Sequence, residues 1–185
     1  MEHDARSLAL RALDPWFRTE LITFRLRALE AFARVPTFDL YGANWDQHER
    51  IQQLGIWRGR LGSTIADKRR ALARYKFTLC IENTAFPGYL TEKLHDALHA
   101  NSIPVYYGDP LVASRIPAEV FVDARAFASL DDLVESLRSM SEREGRGYLD
   151  AGRAYLDSAA YEEAFGIDPY VRVFVDAIER TNNTL

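Results

Sequence analysis

Tyr75-Lys76-Phe77-Thr78-Leu79-Cys80-Ile81-Glu82-Asn83-Thr84-Ala85-Phe86-Pro87-Gly88-Tyr89-Leu90-Thr91-Glu92-Lys93-Leu94-His95-Asp96-Ala97-Leu98-His99-Ala100-Asn101-Ser102-Ile103-Pro104-Val105-Tyr106-Tyr107-Gly108-Asp109-Pro110 decides the fold. Residues 77–81 form an apolar run without alternation, as a parallel strand covered on both faces requires. Pro87-Gly88 is a turn, and a helix is expected from about Thr91 with Leu94, Ala97 and Leu98 as its apolar stripe. Residues 103–107 return as a strand and close on Gly108-Asp109-Pro110. The stretch therefore reads as one βαβ unit. In open α/β sheets ligands sit beyond the carboxyl ends of the strands, which places a candidate site at Glu82, Asn83, Tyr89, Glu92 and Lys93. Lys93 falls in the first helical turn, where the dipole disfavours a cation. It is either a screened surface lysine or, with the free N–H groups of the helix start, part of an anion site such as a diphosphate would use. Glu92 either caps the helix start or bonds ribose hydroxyls.

The runs Tyr-Lys-Phe-Thr-Leu-Cys-Ile-Glu-Asn (75–83), Gly-Tyr-Leu-Thr-Glu-Lys-Leu (88–94) and Ile-Pro-Val-Tyr-Tyr-Gly (103–108) closely resemble the signature of the α1,3/α1,4-fucosyltransferases, glycosyltransferase family 10. The resemblance implies transfer of fucose from GDP-fucose to a glycan hydroxyl, with inversion at the anomeric carbon. It implies a GT-B enzyme with two Rossmann-like domains, the signature lying in the C-terminal, donor-binding one. The fold class expected is thus α/β, a single Rossmann-like parallel-sheet domain. The resemblance also aligns Arg25, by its distance to a strand ending Tyr41-Gly42, with an arginine used on the donor diphosphate. Bidentate phosphate binding depends on guanidinium geometry, so lysine should replace it poorly. The alternative for Arg25 is one surface arginine among several on its helix.

At 185 residues the chain suits one well-buried domain. A net charge of -4 argues against a nucleic-acid face. Cys80 is the only cysteine, so no disulfide framework forms, which fits a reducing compartment. No apolar run reaches membrane-spanning length and the first residues lack a basic signal head. A cytoplasmic location is expected.

Around the unit, residues 1–15 are polar and helical in composition up to Asp14-Pro15. A helix is expected over 17–34, burying Leu21, Phe24, Ala28, Ala31 and Phe32, and ended by Val35-Pro36. A short strand follows over 38–42, then an irregular stretch over 44–62 with a helix near 46–54. Trp45 and Trp57 there are read as packing residues or, alternatively, as platforms for a base or sugar. A basic helix over 64–74 carries Lys68-Arg69-Arg70, read as a solvated face with a weaker alternative near an anionic donor. Further on come a strand at 120–123 and helices at 130–140, 144–156 and 168–180. The last is signalled by Asp168-Pro169, with Val171, Phe174, Val175 and Ile178 expected to face inward. The domain division expected is an N-terminal segment over 1–24, the donor domain over 25–157 and a helical extension over 158–185.

His95 and His99 share a helix face at the spacing of zinc proteases. That pattern requires Glu after the first His and a third ligand, and only His3 and His48 remain. No Asp-x-Asp triplet offers a metal-bridged diphosphate, so neither metal nor cofactor is expected. Inverting transfer needs a base for the acceptor hydroxyl and cations or N–H donors for the leaving diphosphate. Arg25, Lys93 and the helix start meet the second need. The resemblance assigns the base to a glutamate of the N-terminal, acceptor-binding domain, which is not expected within these residues. The leading reading is the donor-binding half of a fucosyltransferase. A non-catalytic nucleotide-sugar-binding module and a GT-B transferase for another nucleotide sugar stay open. A lone half would expose its cleft face, which points to self-association or an acceptor-domain partner.

Overall fold

The structure, a computed structural model, describes residues 20–62 and 64–182. The expectations for residues 1–15, His3 and the start of the 17–34 helix lie outside them. Helix α1 (Ile22–Phe32) begins where the Glu20 carboxylate accepts the Ile22 amide at 2.6 Å. It buries Leu21, Ala28, Leu29, Ala31 and Phe32, close to the expected face, with Phe24 only partly covered.

Two short parallel sheets follow. Strands β1 (Leu40–Tyr41) and β2 (Trp57–Gly59) pair with each other, enclosing helix α2 (Glu49–Leu54). Strand β2 was expected as loop, because Trp57-Arg58-Gly59 carries no apolar run. Helix α3 (Ile65–Leu72) is capped by Thr64, whose hydroxyl accepts the Asp67 amide at 3.1 Å. It leads into β3 (Phe77–Ile81), which crosses through helix α4 (Glu92–His99) to β4 (Ile103–Tyr107). Both strands have the expected bounds. A third strand, β5 (Val122–Asp123), completes the order β3-β4-β5, all parallel. Helices α5 (Leu130–Ser139), α6 (Glu142–Leu156), α7 (Ala159–Phe165) and α8 (Ile167–Asn182) complete the described residues.

The three-stranded sheet is covered on both faces, as its apolar runs demand. Cys80 and Tyr106 point to the side of α4 and α6, packing with Leu94, Ala97, Leu98 and Tyr155. Ile103, Val105 and Val122 point to the other side and meet Phe32 of α1 and Leu133 and Leu137 of α5. The architecture is therefore the expected α/β one with every strand pairing parallel, although the strands divide into two sheets.

The last helix departs from expectation. Val171, Phe174, Val175 and Ile178 do not face inward; Phe174 is 53% and Ile178 61% exposed. Helix α8 packs on α7, an element absent from the sequence reading, and its apolar stripe turns away from the sheet. No described helix is long and apolar enough to cross a membrane.

Candidate functional site

Glu82, the first residue beyond β3, is fully buried. A carboxylate there survives only if hydrogen-bonded and paired, and the N-cap and first turn of α4 supply both. Glu82 accepts the Thr91 amide at 2.8 Å, the Thr91 hydroxyl at 2.7 Å and Lys93 Nζ at 2.9 Å. Lys93 also donates to Thr91 Oγ1 at 2.9 Å. The strained charge of Lys93 in the first turn of α4 is thus answered by Glu82, neither free as a surface lysine nor wholly reserved for a ligand. Its side chain remains 26% exposed.

Arg25 reaches the same strand end from α1. Its Nη2 donates to Ile81 O at 2.9 Å, Glu82 O at 3.0 Å and Asn83 Oδ1 at 2.9 Å. One corner of the guanidinium is spent on the backbone of the β3 end, which fixes the direction of the rest. Burial draws its pKa below the ordinary value, against Glu82, Glu20 and Tyr89, which raise it. Arg25 is therefore a positioned cation at the strand end, not a surface arginine.

Glu92 turns elsewhere, to Lys68 of α3 at 3.4 Å. Burial opposes its charge, but backbone hydrogen bonding, Lys93 and Lys68 prevail and hold its carboxyl below the ordinary range. Lys68 pairs more closely with buried Asp96, at 2.7 Å, and Arg69 lies 3.5 Å from the same carboxylate. Two of the three basic residues read as a solvated face thus anchor α3 to α4 through Asp96, a pairing between distant residues that periodicity does not reveal.

Arg25, Lys93 and Lys68 all line one cavity of about 630 Å³ between the two sheets, and Asp39, Tyr41 and Tyr75 line it too. Tyr75 donates to Asp39 Oδ2 at 2.6 Å and stands 3.1 Å from the Tyr41 hydroxyl. Of the residues singled out in sequence, the structure joins Arg25, Glu82, Asn83 and Lys93 in one bonded chain. Tyr89 is half-buried beside Arg25, and Glu92 is displaced toward α3. Thr91, Tyr41 and Tyr75 were missed, and Lys68, read chiefly as part of a solvated face, follows the weaker alternative and lines the cavity. Thr91 alone carried a signal, as the residue before the helix.

His95 and His99 serve packing. His95 packs against Phe165 of α7 with the rings tilted and 4.4 Å between centroids, and His99 Nε2 lies 3.2 Å from the Tyr161 hydroxyl. No group of three or more metal-ligating side chains occurs among the described residues.

The family description "Glycosyltransferase family 10 (fucosyltransferase) C-term" matches residues 22–150. The chain belongs to glycosyltransferase family 10. The family 10 segment includes α1, both sheets and most of α6, and hence every residue of the strand-end site. Over 118 residues it is 36% identical to the alpha-(1,3)-fucosyltransferase FucT of Helicobacter pylori, covering 62% of this chain and 24% of that protein. It is 38% identical over 72 residues to an alpha-(1,4)-fucosyltransferase of Arabidopsis thaliana, covering 39% of this chain and 18% of that protein. A GDP-fucose protein O-fucosyltransferase 3 of Bos taurus is 35% identical over 89 residues, 48% of this chain and 18% of that one. The chain thus spans about a quarter or less of the length of these relatives. Among solved structures, an alpha1,3-fucosyltransferase with GDP-fucose is similar at 25% identity and a TM-score of 0.45, covering 71% of this chain and 44% of that one.

Proposed function

We propose that this family 10 chain is the donor-binding half of an inverting GT-B fucosyltransferase that takes GDP-fucose. The observation that carries the reading is the convergence of Arg25 and Lys93 on one cavity that runs along β3 to its carboxyl end, where an α/β sheet presents its ligands. The names of the relatives, fucosyltransferases throughout and one of them specifying GDP-fucose, support the same donor.

In this reading the diphosphate lies against the free edge of the Arg25 guanidinium and the exposed part of Lys93 Nζ. Glu82 holds the ammonium in place and does not touch the ligand. As fucose departs, negative charge grows on the diphosphate, and two pre-positioned cations stabilise it without reorganising. Asn83 and Tyr89 stand beside Arg25 to orient the nucleoside or sugar. We assign no metal to the step. The base that takes the proton of the glycan hydroxyl lies outside residues 20–182, in an acceptor-binding partner or segment, and the donor half works in the cytoplasm.

Calorimetric titration with GDP and GDP-fucose tests the reading. The wild type is expected to bind both and to prefer GDP over UDP. Arg25→Lys, which keeps the charge but not the fork geometry, should weaken binding about tenfold or more, a loss of about 1.4 kcal/mol. Binding unchanged by Arg25→Lys and Arg25→Ala together with tighter UDP binding would overturn it.

A further inference from the structure

The turn after β4 holds a buried charge for which the cations of the donor site have no use. Asp109 is fully buried, and its two carboxylate oxygens are unequally served. Oδ1 accepts the Leu111 amide at 2.8 Å, whereas Oδ2 is buried without a hydrogen-bond partner. Such an oxygen has given up its hydration and received no bond in exchange, so its place in the fold calls for a reason. The ion-pair partner of Asp109 is Arg115, whose Nη1 lies 3.9 Å from Oδ2, an electrostatic contact too long for a hydrogen bond. The Arg115 side chain is 46% exposed and, among the described residues, makes no hydrogen bond. Its main chain is fixed, because its amide donates to Val112 O at 3.0 Å and the next residue, Ile116, is buried.

The same guanidinium lies against the loop that joins β3 to α4. A Cβ on Gly88 would come within 3.3 Å of Arg115 Nη2 and 3.5 Å of Nη1. Gly88 has φ +85°, which glycine adopts without strain, and its bare Cα leaves the room that the guanidinium fills. Asp109 thus holds by charge a side chain that would otherwise turn into water. Tyr89 stands between two residues secured by this turn: Gly88 under Arg115, and Leu90, which packs on the core cluster containing Val112 and Ile116. Tyr89 is also the residue beside Arg25. Neither Asp109 nor Arg115 lines the cavity, so both act on the site from behind the loop.

We propose that Asp109 and Arg115 are positioning residues for Tyr89: the buried carboxylate keeps the guanidinium against Gly88, and that contact sets the Tyr89 ring where a donor nucleotide meets it. The role rests on the donor reading of the strand end. The pair touches no ligand; its effect on binding passes through Tyr89 alone.

Calorimetric titration of the full chain with GDP-fucose tests the pair. Asp109→Asn, Arg115→Ala and Tyr89→Ala should each weaken binding about fivefold, and adding Arg115→Ala to Tyr89→Ala should cost no more than about a further twofold, because residues that act through one another are not additive. Guanidinium chloride far below its denaturing range should restore much of the binding lost by Arg115→Ala, where sodium chloride at the same concentration does not. Arg115→Lys keeps a charge beside Asp109 and loses the flat guanidinium. It should unfold at the wild-type urea midpoint and still bind about threefold more weakly. Wild-type affinity in both Arg115 variants would overturn the positioning role and leave the donor reading standing. Multiplying losses in the double variant, or a midpoint of Arg115→Lys that falls in step with its affinity, would do the same by making the pair a purely structural one. No GDP-fucose binding by the wild type would overturn the donor reading itself, and the positioning role with it.

Discussion

Helices α4 and α8 carry comparable apolar stripes in sequence, and the molecule treats them in opposite ways. Leu94, Ala97 and Leu98 of α4 are at most 6% exposed, whereas Val171, Phe174, Val175 and Ile178 of α8 are all at least 45% exposed. The difference lies in what each helix is attached to. Strands β3 and β4 flank α4 in the chain, and a right-handed crossover must lay it back on their sheet. Its first turn is also fixed from outside, by the Glu82 bonds to Thr91 and Lys93. Helix α8 follows α7 across Gly166, and among the described residues no strand comes after it to lay its stripe on the sheet. Periodicity specifies that a helix has an apolar face; connectivity specifies what that face meets.

The comparison breaks first at Glu82. Glu82→Ala should strand Lys93 and the Thr91 amide and cost about 3–5 kcal/mol in urea unfolding. A loss below about 1 kcal/mol would mean that α4 is held by its stripe alone. Next in size, Leu94→Ala should cost about 2–5 kcal/mol, as a fully buried leucine in a packed core does.

A smaller effect concerns the seam between α4 and α7. Burial lowers the pKa of both His95 and His99, aided by each other's charge at His95 and by Arg69 at His99, while Asp96 opposes the shift at each. The unfolded imidazoles bind protons more readily, so the stabilisation is complete above the ordinary value of 6.5 and is lost as pH falls through the lower folded values. Hydrogen exchange in α7, corrected for intrinsic rates, should therefore accelerate relative to β4 between about pH 7 and about pH 5. Equal protection of α7 at both pH values would remove the histidines from the seam. Smallest of all, Phe174→Ala on α8 should shift stability by no more than about 0.5 kcal/mol. A loss comparable with that of Leu94→Ala would show that the α8 stripe is covered in solution.

Much of the fold was legible because local and tertiary signals agree. The apolar runs of β3 and β4, each punctuated by turn residues, have the bounds that sequence assigns them. Strand β2 was hidden because its pairing rests on β1 and not on any pattern of its own. Helix α7 was hidden behind its short length, although Ser158 caps it by accepting the Tyr161 amide at 3.1 Å. At the candidate site the residue identities were legible and their relations were not. Nothing near Glu82 in sequence announces that it is fully buried, since its partners lie nine and eleven positions away across a loop. Lys68 and Asp96 are a second such case: a basic run that looks solvated becomes an anchor only once α3 lies against α4.

Gly108, immediately after β4, sits against the Glu82 side chain. A Cβ there would overlap Glu82 Cγ and come within 2.5 Å of the Tyr106 hydroxyl. The next residue, Asp109, is held through its carbonyl by Arg125 at 3.0 Å. The loops that leave β3 and β4 consequently share a single joint. Residues 84–91 and the turn after β4 are thereby tied to one buried carboxylate: a displacement of the first that keeps Thr91 on Glu82 must press on Gly108.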